Sequence, residues 1–341
     1  MVDEVYCNEN KNNVNGAYNI GECKIFYKIL SSKDYERELQ GYDLIKDYYK
    51  VPKRYFSYID KEKGYVGYEF LNEIKLLFDY FLEHIELDFE YSKVISIYKN
   101  VFWKSIKYKL PTNSALLFED RIDTRLKDNI VYLKNNNYDG LELTILDNKI
   151  KIDLYKMHSE IIKYFQSFSK HWCVISQCDP NDMNICMDGT MFDYTAGGYV
   201  PLMAEYATYF WYNFGQAEML SIKYNKNAFR GYENIQDILK NDVIVKNNKI
   251  LYLPRKIRMD AIIYYTKNIM KPILDNIDNK TWYTEFKNYL AMKILAVFDF
   301  SILKREDILF SISFLQLLYN KNIVFIDELI NLLEGWKCWY D

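Results

Sequence analysis

Alternating apolar and polar positions predict a β-rich region in the first part of the chain. Residues 23–30 alternate as a strand does, and residues 54–71 form the pattern of two strands around a polar turn. Between these segments, Ser31 and Ser32 are placed to cap a helix that begins near the next residue. The N-terminal pattern is therefore that of a sheet with one helix.

The rest of the chain mostly shows the spacing of helices. Residues 73–134, 201–223 and 255–341 repeat apolar side chains at helical intervals. Residues 141–153 and 243–253 instead predict two hairpins, each centred on Asp-Asn or Asn-Asn. No internal repeat or long linker separates these segments.

The strongest chemical signal follows the buried strand predicted at residues 173–176. Asp179 is separated by four residues from Asn184, and Asp193 follows a hairpin turn. This spacing is that of the kinase catalytic loop, in which an Asp accepts the proton of the attacking hydroxyl and an Asn and a second Asp hold Mg²⁺. The strands would bring all three residues to one end of a small sheet. The alternative is that Asp179 only shapes the loop and Asp193 is a surface residue.

The same segment resembles the aminoglycoside phosphotransferase and choline kinase group of small-molecule kinases. The run Phe-Asp-Tyr-Thr-Ala-Gly-Gly at residues 192–198, followed by Pro201 and then Glu205 before Tyr-Ala, matches the second half of that group's catalytic segment. The first half departs from it, because Gln177 stands where the group usually has His and Cys178 where it usually has Gly. The group's His has a supporting role, so the departure bears on rate more than on reaction class.

The resemblance implies a nucleotide-binding lysine and a glutamate partner in the N-terminal lobe. Lys28 lies near the end of the first predicted strand, as does the kinase lysine that contacts the α and β phosphates. Glu38, in the predicted helix, corresponds to the glutamate that pairs with it. Lys24 in the same strand and Glu36 in the same helix are the alternatives.

Two further segments are expected to contact the nucleotide. The resemblance implies a hinge at residues 68–71, in which the Glu69 carbonyl and the Leu71 amide meet adenine. Residues 13–18, with the single glycine Gly16, predict a turn whose backbone amides meet phosphate oxygens, although an ordinary hairpin turn explains the segment equally well.

Together these features imply an α+β, bilobal, protein-kinase-like fold, with a nucleotide-binding lobe at residues 1–71 and a larger, mostly helical lobe at residues 72–341. The expected reaction is transfer of the γ-phosphate of ATP, with Mg²⁺, to a hydroxyl of a small polar molecule that resembles an aminoglycoside, an amino alcohol or a sugar. Asp182 and Glu205 would suit a cationic acceptor; the alternative is that both are purely structural. The alternatives are a nucleotide-binding scaffold without turnover and a protein-directed kinase.

Composition narrows the partners. A net charge of −3 over 341 residues argues against nucleic acid as a binding partner. The longest apolar run, residues 290–303, is interrupted by Lys293 and Asp299 and is too short for a bilayer, so no membrane association is expected. The six cysteines lack the paired spacing of metal sites, and the N-terminus lacks a secretion signal, which predicts reduced thiols in a cytoplasmic protein.

Overall fold

An antiparallel five-stranded sheet with one helix against it forms the N-terminal part. The computed structural model describes residues 2–9, 14–167, 169–229, 232, 235–239 and 241–340. The sheet contains β1 (Val2–Glu9), β2 (Val14–Ile20), β3 (Cys23–Ser31), β4 (Arg54–Asp60) and β5 (Lys63–Glu69). Across the sheet the order is β1-β2-β3-β5-β4, so the strand that bears Lys28 is central.

The alternation of apolar and polar residues along β3 accounts for which of its side chains are buried. Ile25, Tyr27 and Leu30 of β3 are buried. Tight turns connect the strands on either side: Gly21 joins β2 to β3 with a φ of 61°, and Lys61 joins β4 to β5 with a φ of 57°. The predicted strands of this region are confirmed.

The turn predicted around Gly16 is wrong for residues 14–18, and Asn13 lies outside the described residues. Gly16 is inside β2, where it pairs with Cys7 on one side and Tyr27 on the other. The pairing of β1 with β2 extends to Glu9 and Val14, so the chain reverses before β2 begins.

Helix α1 (Ser32–Ile45) begins as the capping residues predict. The Ser31 hydroxyl accepts a hydrogen bond from the Asp34 N–H at 3.2 Å. The helix also lies very close to the C-terminal part of the chain: a Cβ atom built on Gly41 would be 1.9 Å from the carbonyl oxygen of Tyr194. Only glycine permits this contact between the two backbones.

The C-terminal part is mostly helical, as predicted. Its α-helices, over the described residues, are α2 (Leu77–Glu83), α3 (Phe89–Ser105), α4 (Lys127–Asn135), α5 (Leu154–Phe165), α6 (Leu202–Trp211), α7 (Ile222–Tyr224), α8 (Ile235–Ile238), α9 (Lys256–Tyr265), α10 (Lys271–Leu274), α11 (Trp282–Leu295), α12 (Arg305–Tyr319) and α13 (Ile326–Lys337). Short 3₁₀ and π-helical segments connect several of them, among them the 3₁₀ turn Glu119–Arg121 and the π-helical Tyr212–Ser221.

Two small sheets complete this part. The remaining described strands are β6 (Lys107–Lys109), β7 (Glu142–Ile145), β8 (Asn148–Lys151), β9 (His171–Ser176), β10 (Gly198–Pro201), β11 (Ile244–Lys246) and β12 (Lys249–Leu251). They form sheets in the orders β10-β9-β6 and β11-β12-β7-β8, and both predicted hairpins are present.

The largest core lies in the helical part and surrounds α6, every residue of which is buried. Helix α11 packs against it, with Phe286 stacked on Tyr206 at 5.0 Å between ring centroids. Among the described residues, no helix combines the length and apolar character needed to cross a bilayer. The α+β prediction, with a β-rich N-terminal part and a mostly helical C-terminal part, is confirmed. The lobe boundary at residue 71 stays a prediction.

Candidate active site

A short loop after β9 contains Asp179 and Asn184. The loop is closed on itself, because the Asn181 N–H donates to the Asp179 carbonyl at 2.7 Å and the Asn184 N–H donates to the Asn181 carbonyl at 3.0 Å. The Asn181 side chain also donates to Oδ2 of Asp179 at 2.9 Å. These bonds fix the orientation of the Asp179 carboxylate and leave Oδ1 for another partner.

The returning chain brings Asp193 to the same place. A tight turn and the bridge between Ile185 and Met191 reverse the chain, and the Phe192 N–H donates to the Asn184 carbonyl at 3.0 Å. The two strands predicted here are reduced to isolated bridges, but the predicted reversal is present. Asn184 and Asp193 consequently border one cavity.

Lys28 joins the N-terminal sheet to this loop region. Its Nζ lies 2.9 Å from Oε1 of Glu38 and 2.9 Å from Oδ1 of Asp193. Burial disfavours the charged ammonium, but the fields of Asp193 and Glu38 outweigh it and hold the pKa of Lys28 above its ordinary value. In turn, the charge of Lys28 lowers the pKa of Asp193. The three charges therefore support one another.

Glu38 is fixed more firmly by its surroundings than Asp193. Its side chain is fully buried, whereas half of the Asp193 side chain is exposed. Glu38 accepts hydrogen bonds from the Tyr68 hydroxyl at 2.8 Å and from the Thr195 hydroxyl at 2.6 Å. A buried carboxylate with three donors is a fixed support for the lysine, and the exposed Asp193 remains free to meet a ligand.

The two alternative residues lie elsewhere. The Lys24 Nζ lies over the Phe70 ring, 3.7 Å from its centroid. Glu36 is on the exposed side of α1. The geometry thus brings Lys28 and Glu38 together with Asp193, and it brings neither Lys24 nor Glu36 into that cluster.

A cavity of about 490 Å³ opens beside these charges, between the sheet and the loop. Lys28, Asn184 and Asp193 line its polar end. The hinge residues Glu69 and Leu71 border it as well, next to apolar side chains that include Phe26, Leu30, Pro52, Ile74 and Phe192. Gly16 is not among the lining residues, although its neighbours Val14 and Asn15 are. An apolar slot with a charged end suits a flat base that carries phosphates.

Comparison with known proteins finds relatives only among solved structures. No family model and no curated protein matches the chain. Aminoglycoside phosphotransferase APH(4)-Ia, as a thermostable mutant without ligand, is 9% identical over 93% of both chains, with a TM-score of 0.48. Spectinomycin phosphotransferase APH(9)-Ia, in complex with ADP and spectinomycin, is 10% identical over 98% of this chain and 93% of that one, with a TM-score of 0.41. A fructosamine-3-kinase-like protein from Haemophilus somnus 129PT is 11% identical over 86% of this chain and 90% of that one, with a TM-score of 0.36.

The chain resembles small-molecule kinases. The similar structures belong to the group that residues 192–205 resemble in sequence.

Cys178, which stands where the group usually has Gly, has a backbone conformation that favours glycine. Cys178 has a φ of 69°, a left-handed backbone that a glycine adopts without strain and that a side chain opposes by about 1–2 kcal/mol. Its thiol is buried, and burial raises its pKa far above the ordinary value. The neighbouring Gln177 is also fully buried, and neither its amide oxygen nor its nitrogen makes a hydrogen bond of normal geometry with the described residues, although the Tyr98 hydroxyl lies near its side chain.

Lys293, which the motif analysis did not assign to the site, contacts Asp179 directly. Its Nζ lies 3.2 Å from Oδ1 of Asp179, and only 3% of its side chain is exposed. It comes from α11, more than a hundred residues after the loop. The signal for it was present in the sequence, because Lys293 interrupts the apolar run at residues 290–303 and a buried lysine requires a partner.

The two acids considered for a cationic acceptor are both buried, which favours the alternative that they are structural. Asp182 is buried against the Arg258 guanidinium at 2.5 Å and accepts from the Tyr212 hydroxyl at 2.6 Å. Glu205 is fully buried, and neither of its oxygens makes a hydrogen bond of normal geometry with the described residues. Burial raises the pKa of Glu205 to about 8, so its neutral form is favoured near pH 7.

Proposed function

We propose that this protein transfers the γ-phosphoryl group of ATP to a hydroxyl group of a small molecule. The observation that carries the proposal is the meeting of Lys28, Glu38 and Asp193 at 2.9 Å, at the charged end of the cavity. Lys28 and Glu38 come from a strand and the helix that directly follows it, whereas Asp193 comes from a loop 165 residues after Lys28. Phosphoryl transfer needs such an assembly because its catalysis is mostly positioning and charge neutralisation.

In the proposed reaction Asp179 orients the acceptor hydroxyl and accepts its proton. The hydroxyl oxygen forms a bond to the γ-phosphorus, the bond from that phosphorus to the β–γ bridging oxygen breaks, and ADP leaves. Lys28, positioned by Glu38, would hold the phosphates in place. Glu69 and Leu71 would offer backbone groups to adenine.

The side chains of Asn184 and Asp193 fit a magnesium ion. The Asn184 amide nitrogen donates to the Asp179 carbonyl at 3.3 Å, which directs its nitrogen to the loop and leaves its oxygen as a ligand. Asp193 supplies an exposed carboxylate. No cluster of three His, Cys, Asp or Glu in the described part of the chain could hold a metal unaided, as expected for an ion that completes its shell with phosphates and water. When bound, Mg²⁺ would neutralise phosphate charge.

A panel of hydroxyl compounds, each incubated with ATP and Mg²⁺, tests the proposal through acceptor-dependent release of ADP. We expect at least one small molecule to raise ADP release, and Asp179→Asn to abolish that increase. If the wild-type protein neither binds ATP-Mg nor transfers phosphate to any compound, the proposed function is wrong.

A nucleotide-binding scaffold is the second candidate, and the ion pair between Lys293 and Asp179 favours it. A lysine on the catalytic carboxylate competes with an incoming hydroxyl for Oδ1. A scaffold would bind ATP without acceptor-dependent turnover, and substitution of Asp179 would leave that binding unchanged. The acceptor panel therefore separates the two candidates.

A further inference from the structure

Arg121 carries a charge that the described part of the chain leaves without a carboxylate partner. The residue is partly buried at the end of the 3₁₀ turn Glu119–Arg121. Among the described residues its guanidinium makes one hydrogen bond, a long one of 3.4 Å to the Ala296 carbonyl, and no ion pair within 4 Å. The acid beside it in sequence, Asp120, is already paired with Arg37 at 2.7 Å. Most of the five donors of Arg121 therefore remain available.

This guanidinium lies at the end of α11 that reaches Asp179. Ala296, whose carbonyl accepts from Arg121, caps α11 three residues after Lys293, and residues three apart lie on one face of a helix. Burial lowers the pKa of Arg121, and Asp179 is the charged group whose field opposes this most strongly. Arginine nevertheless stays ionised in proteins.

The acids around Asp179 offer nothing to a cationic acceptor. Both oxygens of Asp179 have partners, Lys293 on Oδ1 and Asn181 on Oδ2. Asp182 and Glu205 are buried, as described above. Glu119 remains, but its Oε2 atom is buried, and burial raises the pKa of its carboxyl group. Asp179 and Lys293 are paired with each other, whereas Arg121 is a nearby cation with no carboxylate within 4 Å among the described residues.

We propose, on the basis of the phosphotransfer function above, that the acceptor carries an anionic group, a carboxylate or a phosphate, which Arg121 binds while the acceptor hydroxyl meets Asp179. A guanidinium suits this task because its planar fork matches both anions with two parallel hydrogen bonds. A polycationic aminoglycoside, in contrast, would meet the same charge and be repelled.

The test uses compounds that share a hexose scaffold and differ in charge: glucuronate, glucose 6-phosphate, glucose and glucosamine. Transfer is followed by ADP release, and binding to the ADP-loaded protein is followed by calorimetry, which needs no turnover. We expect one or both anions to bind and react better than glucose, with glucosamine weakest. The carboxylate and phosphate arms then identify the anion.

Arg121→Met should weaken kcat/KM for the preferred anion, or its affinity, by about thirtyfold or more, the usual loss when one partner of a desolvated charge pair is removed. Arg121→Lys should recover part of this, because lysine keeps the charge without the fork. Arg125→Met is the matched control, since Arg125 is nearby but paired with Asp299 at 2.7 Å on an exposed surface. ATP affinity should be the same in all variants.

Three results would overturn the proposal: tighter binding of glucosamine or glucose than of either anion, no binding of the anions by a protein that binds ATP-Mg, or equal anion binding by Arg121→Met and wild type. Each leaves the proposed phosphotransfer standing if another compound is phosphorylated in an Asp179-dependent way. Failure of the wild-type protein to bind ATP-Mg would instead contradict the function itself.

Discussion

The two halves of the cleft differ in charge and in construction. The nucleotide half is formed by β3, α1, the hinge and Asp193, and there one lysine lies between two acids. The half proposed to bind the acceptor is formed by the loop after β9, by α11 and by the 3₁₀ turn at Arg121. There Lys293 pairs with Asp179, and Arg121 has no carboxylate within 4 Å among the described residues. The difference teaches that a likeness in one half of a cleft says little about the substrate that occupies the other.

The effects of substitutions should differ between the two halves of the cleft. Substitutions in the nucleotide half should impair reactions with every acceptor equally, whereas substitutions at Arg121 should depend on the acceptor. Asp179 lies between the halves, and its loss should stop the chemistry while ATP still binds.

The largest effect is expected for Asp179→Asn. A positioned acid–base group typically contributes about 10²- to 10⁴-fold in rate, so transfer should fall by at least that range. Calorimetry should show unchanged affinity for ATP-Mg. Because the change also leaves Lys293 buried without its anion, the midpoint of thermal unfolding should fall as well. Turnover close to that of the wild type would remove Asp179 from its role.

Asp193→Ala should have the second-largest effect, because it should weaken binding of the magnesium ion. We expect the Mg²⁺ concentration needed for ATP binding to rise by about 100-fold or more, since even the loss of a group that only supports a metal ligand costs about 10- to 100-fold. Asn184→Ala should cost less, because an amide contributes a dipole and no net charge. Identical Mg²⁺ titrations for Asp193→Ala and wild type would exclude this residue from metal binding.

Lys28 and Glu38 should act as one unit. Lys28→Ala and Glu38→Ala should each reduce transfer, and the double variant should lose less than the sum, with a coupling of about 0.5–3 kcal/mol. Lys24→Ala is the matched control on the same strand and should be nearly as active as wild type, because Lys24 lies over Phe70. Strict additivity, or an inactive Lys24→Ala with an active Lys28→Ala, would show that the wrong lysine has been chosen.

The smallest expected effect is a change in how the free energy of unfolding depends on pH. The pKa of Glu205 is raised from 4.5 to about 8 in the folded chain, so between these values the folded state binds more protons than the unfolded state. Its contribution to the free energy of unfolding should therefore decrease as pH rises, by about 1.4 kcal/mol per unit within that window. Denaturant unfolding at pH 6 and pH 7 should show a flatter dependence for Glu205→Gln than for wild type. Equal slopes would mean that Glu205 is ionised.

The sequence was sufficient for the nucleotide half because local rules govern it. Alternation predicts β3, and Ser31 and Ser32 predict the start of α1. The turn around Gly16 was misplaced because glycine also suits the middle of a sheet, where pairing with both neighbouring strands decides the position.

The acceptor half could not be predicted from the sequence, because tertiary packing and not local patterning determines it. Lys293 reaches Asp179 only through the packing of α11, Arg121 reaches the end of α11 only through the 3₁₀ turn, and neither belongs to a motif. The sequence left open whether Asp182 and Glu205 face an acceptor or are structural, because a carboxylate looks the same in sequence in both cases. Burial alone separates the two cases.

The contact at Gly41 bears on how the activity of such a protein is controlled. In kinases that are turned on and off, the helix with the lysine's glutamate moves relative to the rest of the site. Here that helix meets the Tyr194 carbonyl backbone to backbone, and Thr195 holds Glu38 at 2.6 Å. Moving it outward would break both contacts and expose a buried acid. We therefore expect permanently assembled machinery, with progress curves that are linear from the moment of mixing and a rate set by the supply of acceptor and ATP.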